Sequence, residues 1–528
     1  MLKILKIFLS IILTLSLIFL TSCATSSTTT TTEEIIEENS IETNSDNSSD
    51  NSQSSKPSSS KEDGGKSDMN EAQKPTASTP SNKKPSANQG GSANNVADQN
   101  IGSDVNISNT IKKDEQTVFT PITLDEAKKN AEKHINSMAS ALNVTNMASV
   151  NSAISNSSNH RLAKLFEKAL KGQNLTIATL GGSITNGALA SSKEEKYANR
   201  IQAWFEATFP NIKVTLINAG IGATSSAFGI YRLKEDVLIY EPDLIVIEYS
   251  VNDYGNGNYL TETYEGLLRS ALSYEDAAVV PIYFAMKGKG TAQDNEKPIA
   301  DYYKLPQASF YDAFKGYSDW NNMFGDDVHP NSQGHGRAAL VFNQLMTTAL
   351  GNYNSAEKSY TMPAAKYSSS ANYGNDTLVK LQYESGAISF LQNKIVNNKA
   401  TDSPLTGKIA FKNNNFTLKQ NDYALVHHNF DIISIAQGKT LKFTIKDIKT
   451  FLIIMNRDAD CGKNTKIVVT ENDTGKKKTT YINSYYSWSH LWDSGPLYAS
   501  SNGNPHSVTV EITPLDGKFC FAGLGISE

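Results

Sequence analysis

The sequence predicts an α/β domain on a parallel sheet with helices on both faces, followed by a C-terminal all-β domain. Three observations point there. From about residue 161 to 353, short apolar segments alternate with segments of helical period, the pattern of successive strand–helix units. Glycine-rich turns stand where those strands should end, most plainly at Gly181-Gly182-Ser183 and Asn218-Ala219-Gly220-Ile221-Gly222. Past about Tyr360 the helical period fades into short alternating stretches, such as Leu441, Phe443 and Ile445, or Val508, Val510 and Ile512. Turns at Asn472-Asp473-Thr474-Gly475 and Asp516-Gly517 separate them, so a sandwich or jelly roll fits residues 354–528.

Before the first domain the chain has another texture. Residues 1–22 place Lys3 and Lys6 ahead of an apolar run through Leu20, the composition of an export signal. The run ends Leu20-Thr21-Ser22-Cys23, which resembles the lipobox of bacterial lipoproteins. That resemblance implies lipidation of Cys23 and an extracytoplasmic protein anchored to the bacterial cell membrane. Residues 23–118 are rich in Ser, Thr, Asn and Lys and hold no aromatic residue, so they cannot bury enough apolar surface to fold. A disordered tether is expected there. The formal charge of −5 over 528 residues gives no basis for a nucleic-acid partner.

The folded part is expected over 119–353. Thr123-Leu124-Asp125-Glu126 is a capping pattern, and Leu124, Ala131, Ile135, Met138 and Leu142 mark a helical face. That helix either packs on the domain or extends the stalk. A second helix covers Arg161–Lys171 and stops at Gly172. Strands follow at Leu175–Gly181, Lys213–Ile217, Asp243–Tyr249, Ala278–Ala285 and Gln307–Phe310. Helices are expected at Tyr197–Phe209, Gly229–Ile239, Leu260–Leu272 and Gly336–Leu350.

Open α/β sheets place their chemistry beyond the carboxyl ends of the strands, and four loops there carry reactive residues. Ser183 follows the first strand. It satisfies neither the dinucleotide fingerprint nor the P-loop, and Thr185 stands where a G-x-S-x-G elbow needs glycine. The glycine turn through Gly222 follows the second strand, and Ser250-Val251-Asn252-Asp253 the third. Before the closing helix lies Asp326-Asp327-Val328-His329, in which a carboxylate precedes the histidine by three positions. A serine nucleophile needs a base within hydrogen-bond reach and a group orienting that base, and one short loop holds both partners. The backbone N–H of Ser183, an N–H of the glycine turn and the Asn252 amide are the donors available to a developing oxyanion.

Taken together, these four segments resemble the blocks of the SGNH, or GDSL-type, hydrolases over about Arg161–Tyr353. The resemblance implies a three-layer α/β/α fold with a flavodoxin-like sheet. It also implies Ser183 as nucleophile, His329 as base and Asp326 as its partner, with Ser183, Gly222 and Asn252 as oxyanion donors. Two departures stand out. Gly182 occupies the place of the family's usual Asp, and the oxyanion glycine aligns with either Gly222 or Ala223.

On that reading the protein is a serine esterase acting on O-acyl, chiefly O-acetyl, esters of a polysaccharide or on small esters, without cofactor or metal. A polysaccharide O-acyltransferase with the same triad and an inert wall-binding lipoprotein are the alternatives. In the C-terminal domain, Tyr486, Trp488 and Trp492 fall on one face of an extended segment, suited either to sugar stacking or to packing. A separable sugar-binding domain predicts that removing residues after about Tyr360 weakens action on polymer more than on a small ester. Cys461 and Cys520 form an even pair, bridged or free, and His427-His428 lacks ligand spacing.

Overall fold

The computed structural model describes residues 120–254, 259–384, 387–396, 399–425, 428–487 and 489–528. The expected signal segment, Cys23, the tether, His427 and Trp488 lie outside them. All described residues belong to one compact unit, Gln89–Glu528. Among them no helix is long and apolar enough to cross a membrane.

The capping pattern opens α1 (Leu124–Ala141), where the Thr123 hydroxyl accepts from the Glu126 N–H at 3.2 Å. Ala127, Ala131, Ile135 and Met138 are buried in the α/β core, so this helix packs on the domain and does not extend a stalk. Next come α2 (Met147–Ser152), β1 (Ile154–Ser155), α3 (His160–Leu170), β2 (Leu175–Gly181), α4 (Ser183–Asn186) and α5 (Tyr197–Thr208). They are followed by β3 (Val214–Gly220), α6 (Ser226–Asp236), β4 (Leu244–Glu248), α7 (Tyr259–Ser273) and β5 (Ala278–Tyr283). The layer closes with α8 (Gln293–Tyr302), β6 (Gln307–Ser309), α9 (Phe310–Phe314) and α10 (Ser332–Gly351).

The sheet order is β1-β6-β5-β4-β2-β3. Five strands are parallel, and counted from β2 along the chain they lie in the flavodoxin-like order 2-1-3-4-5. The sheet is not wholly parallel, because β1 adds antiparallel to β6 with Ile154 opposite Ala308. Two residues are too few to carry a period. The switch point falls between β2 and β4, the place where open sheets of this order bind their ligands. The predicted Gly229 start of α6 is three residues late, since Ser225 already caps the helix by accepting from the Ala227 N–H at 3.2 Å.

The C-terminal strands are β7 (Asp376–Glu384), β8 (Ala387–Val396), β9 (Lys399–Pro404), β10 (Ile409–Phe411), β11 (Thr417–Leu425) and β12 (His428–Ile435). After them come β13 (Leu441–Ile448), β14 (Thr450–Arg457), β15 (Thr465–Glu471), β16 (Lys477–Ile482), β17 (His490–Ala499), β18 (His506–Pro514) and β19 (Phe519–Ser527). One antiparallel sheet has the order β10-β13-β18-β15-β16. The larger one runs β11-β12-β19-β7-β8-β9, with β14 paired to β19 and β17 to β14. Phe443 and Val510 from the first meet Ile433, Ile453 and Leu524 from the second in the core of a sandwich.

The outer face of the larger sheet is covered over β7, β12, β14, β17 and β19. Leu378, Phe430, Ile432, Leu452, Ile454 and Leu491 share one hydrophobic core with Ile230 and Tyr231 of α6 and Leu267 of α7. Gly525 makes room for that contact, since a β-carbon there would stand 2.3 Å from the Tyr231 ring. The Tyr231 hydroxyl bonds the Thr450 hydroxyl at 2.9 Å. The sandwich therefore packs as a further layer against the α/β fold through a shared core.

Candidate active site

Strand β2 is buried along nearly its whole length and delivers the chain to Ser183, the first residue of α4. The Ser183 Oγ lies 2.8 Å from His329 Nε2, and His329 Nδ1 lies 2.8 Å from Asp326 Oδ2. The loop before α10 is shaped to present this pair. Gly325 N–H donates to the His329 carbonyl at 3.0 Å, and Asp326 Oδ1 accepts from the N–H groups of Val328 (2.8 Å) and His329 (2.6 Å). One carboxylate oxygen thus closes the loop while the other faces the ring. Burial pushes Asp326 up, but the bonds from the His329 ring and from the two N–H groups outweigh it and hold the carboxyl below its ordinary value. The side chains of His329 and Asp326 are 24% and 49% exposed, so solvent reaches the relay.

The two other loops close on Ser183. Gly181 and Gly220 pair in register on β2 and β3, which brings the glycine turn beside the nucleophile. A β-carbon on Gly222 would sit 3.7 Å from the Ser183 Cβ. Ala223 follows with φ +62°, a left-handed conformation that L residues seldom adopt. The Asn252 side chain lies over Gly182. Its Oδ1 is 2.2 Å from the place a Gly182 β-carbon would occupy. That explains the missing Asp: the space its side chain would leave from is filled by Asn252. The structure thus brings together Ser183, Gly222, Asn252, Asp326 and His329 at the carboxyl ends of β2, β3 and β4.

Several supporting residues were not anticipated. Glu248 ends β4 in a fully buried position and accepts from the Thr185 hydroxyl at 3.1 Å. Burial raises its carboxyl to about 8, against the pull of Thr185 and of the Gly182 and Val251 N–H groups. Asp253 accepts from the Ser226 N–H at 2.9 Å, and burial lifts it to about 7. The buried Arg232 guanidinium donates to the carbonyls of Gly181 (2.9 Å) and Ala219 (2.7 Å) and pairs with Asp236 at 3.0 Å. A glutamate inside the apolar run of β4 was a visible signal for Glu248. Arg232 had none, because nothing local marks a helical arginine as buried.

Tyr486 is exposed and Trp492 half-buried, and the Arg457 guanidinium lies 5.1 and 4.8 Å from their ring centroids. Cys461 and Cys520 are buried and unbridged. With Asp458 they form the one cation-sized donor cluster among the described residues, all three ligand atoms within 4.8 Å of one another. The Lys518 ammonium, 3.7 Å from Asp458 Oδ2, already supplies positive charge there.

Residues 179–337 match the GDSL-like Lipase/Acylhydrolase family. No curated protein matches the chain. Among solved structures it is similar to a two-domain esterase (CEX) active on acetylated mannans, co-crystallized with mannopentaose. The two are 24% identical with a TM-score of 0.56, covering 72% of this chain and 98% of that one. A second structure of that esterase gives 24% identity and a TM-score of 0.54 over the same shares. At this identity the likeness establishes the fold, including the pairing of an α/β layer with a β-rich region.

Proposed function

We propose that the chain is a serine esterase that removes O-acyl, chiefly O-acetyl, groups from a polysaccharide. The observation that carries this reading is the relay from Ser183 Oγ through His329 to Asp326, with both hydrogen bonds at 2.8 Å. With the Nδ1 proton held by Asp326, the His329 Nε2 lone pair accepts the serine proton as Oγ attacks the ester carbonyl. The charge formed on the carbonyl oxygen meets the N–H groups of Ser183 and the Gly222 turn and the Asn252 amide. The imidazolium then protonates the departing sugar oxygen. Water, deprotonated in turn by His329, releases the acid and restores the serine.

Three features support a polysaccharide as substrate. The relay is open to solvent. Tyr254, two residues past Asn252, is an aromatic side chain 49% exposed to solvent. The two-domain esterase of the same architecture acts on acetylated mannans. Export and lipidation at Cys23 belong to the same proposal: they rest on the 1–22 segment and would hold the enzyme where such polymers lie.

Acetate release from acetylated mannan and xylan, together with rates on nitrophenyl esters from acetate to palmitate, tests the reading. Ser183→Ala is expected to lose fluorophosphonate labelling and about 10³-fold or more in turnover. Full activity in that variant, or a preference for palmitate with no acetate from any glycan, would overturn it. Cys23→Ala is expected to move the protein from the membrane fraction to the medium; retention on the membrane would refute the anchor.

A further inference from the structure

The turn that carries Gly222 and Ala223 hangs between two anchors. The first belongs to the α/β sheet: Ile221 N–H donates to the Gly181 carbonyl at 3.0 Å. The second does not. Ser225, two residues past Ala223, donates through its hydroxyl to Asp493 Oδ1 (3.0 Å) and Oδ2 (2.9 Å), and through its N–H to Oδ2 at 3.2 Å. Asp493 lies on β17 of the sandwich and is itself fixed by the Gly495 N–H at 3.0 Å. Both Ser225 and Asp493 are 5% exposed.

The span between the anchors is short and conformationally costly. The Thr224 hydroxyl folds back to the Ile221 carbonyl at 2.8 Å, and Ala223 holds φ +62°. A non-glycine residue keeps that conformation only where its surroundings over-determine it. The next residue is held separately, Ser226 N–H donating to Asp253 Oδ1 at 2.9 Å, so losing the Ser225 bonds loosens the turn at the stretch nearest Ala223, whose left-handed backbone then has a lower-energy conformation to relax into.

We propose that Asp493 is a positioning residue for the reaction: the sandwich supplies the carboxylate that holds the oxyanion-stabilising turn in place. This rests on the esterase mechanism proposed above. It gives the β-rich layer a part in turnover through Ser225, without contact to the substrate.

The test uses the full chain, with kcat and KM on nitrophenyl acetate and inhibition by phenylboronic acid, whose serine adduct mimics the tetrahedral intermediate. Asp493→Ala is expected to lower kcat roughly tenfold or more, to leave KM within about threefold, and to weaken boronate inhibition in parallel. Asp493→Asn keeps one acceptor for Ser225 and should fall between the wild type and Asp493→Ala. Tyr231→Phe removes another bond across the same interface, to Thr450, but touches no part of the turn, so its kcat should be unchanged. If Asp493→Ala does not fold, Asp493→Asn and Ser225→Ala carry the same comparison.

A kcat within about twofold of wild type in Asp493→Ala, or an equal loss in Tyr231→Phe, would overturn the proposal. So would an effect confined to KM. Ser183→Ala separates the two levels. If it stays active the esterase mechanism fails; if it is inactive while the Asp493 variants are unimpaired, only the positioning role fails.

Discussion

Replacing Gly182 by Ala adds one methyl group to the turn before the nucleophile. Gly182 has an extended backbone with φ −89°, outside the left-handed region, so the substitution does not force a β-carbon into a positive φ. Its whole effect is steric. The new β-carbon would stand 2.2 Å from Asn252 Oδ1 and 2.9 Å from its Cγ, so the amide must retreat by about 1 Å. Asn252 is half-buried on a loop and can move, which keeps the stability loss near the low end of the ~1–3 kcal/mol typical of overpacking. Catalysis has no such tolerance. One oxyanion donor is worth about 10²–10³ in kcat, or ~2.7–4 kcal/mol, and a donor displaced by an ångström is mostly lost. The assay is kcat and KM on nitrophenyl acetate for Gly182→Ala, Asn252→Ala and the double variant, with melting temperatures alongside. Because both changes remove the same donor, the double variant should be no worse than Asn252→Ala alone. A Gly182→Ala enzyme within about threefold of wild type, or fully additive losses, would refute the placement of Asn252 in the oxyanion site.

Glu248 makes stability depend on pH. Its carboxyl is raised in the folded state from 4.5 to about 8, so its contribution is fully present below pH 4.5 and is lost as the pH climbs toward 8, at up to about 1.4 kcal/mol per unit. Glu248→Gln cannot ionise and should flatten the fall in melting temperature across that window; parallel curves for the two proteins would count against it. Cys461 and Cys520 are free thiols in the structure, so peptide mapping after alkylation of denatured, unreduced protein should find both modified. A bridged peptide pair would contradict this.

Most of the site was legible because it lies in short, chemically odd segments at strand ends. Ser183 and Asn252 are polar residues following apolar runs, and Asp326 and His329 stand in a short loop before the closing helix at the three-residue spacing that lets one carboxylate close the loop and hold the ring. The supporting residues were hidden for the opposite reason. Arg232 and Asp493 are ordinary in sequence and acquire their roles only when distant elements meet, as Ser225 meets Asp493 across 268 positions. Likewise β1 is two residues long, and only its partner β6 makes it a strand. The extra length of β3 through Gly220 was masked by the glycine turn itself, whose residues read as a loop but pair in register with β2.

The boundary near residue 353 was read from a real change of texture, yet it does not separate two independent bodies. The clue was in β14, where Phe451-Leu452-Ile453-Ile454-Met455 is apolar at every position and does not alternate. A strand of that kind is buried on both faces. Leu452 and Ile454 turn toward α6 and α7, and Ile453 and Met455 toward the sandwich interior. Ending the chain at residue 353 would strip Ile230, Tyr231 and Leu267 of their cover on that side, at roughly 1.5–3 kcal/mol for each large side chain fully exposed. Against a typical net stability of about 5–15 kcal/mol, that loss is enough to unfold the α/β layer or drive it to aggregate. The truncated chain should therefore fail on nitrophenyl acetate as completely as on polymer, and show no cooperative melting transition. A soluble 119–353 fragment with full activity on the small ester would show that the shared core is dispensable. In that case the sandwich would be an appendage after all, and the anchoring of the Gly222 turn through Ser225 would lose its structural basis.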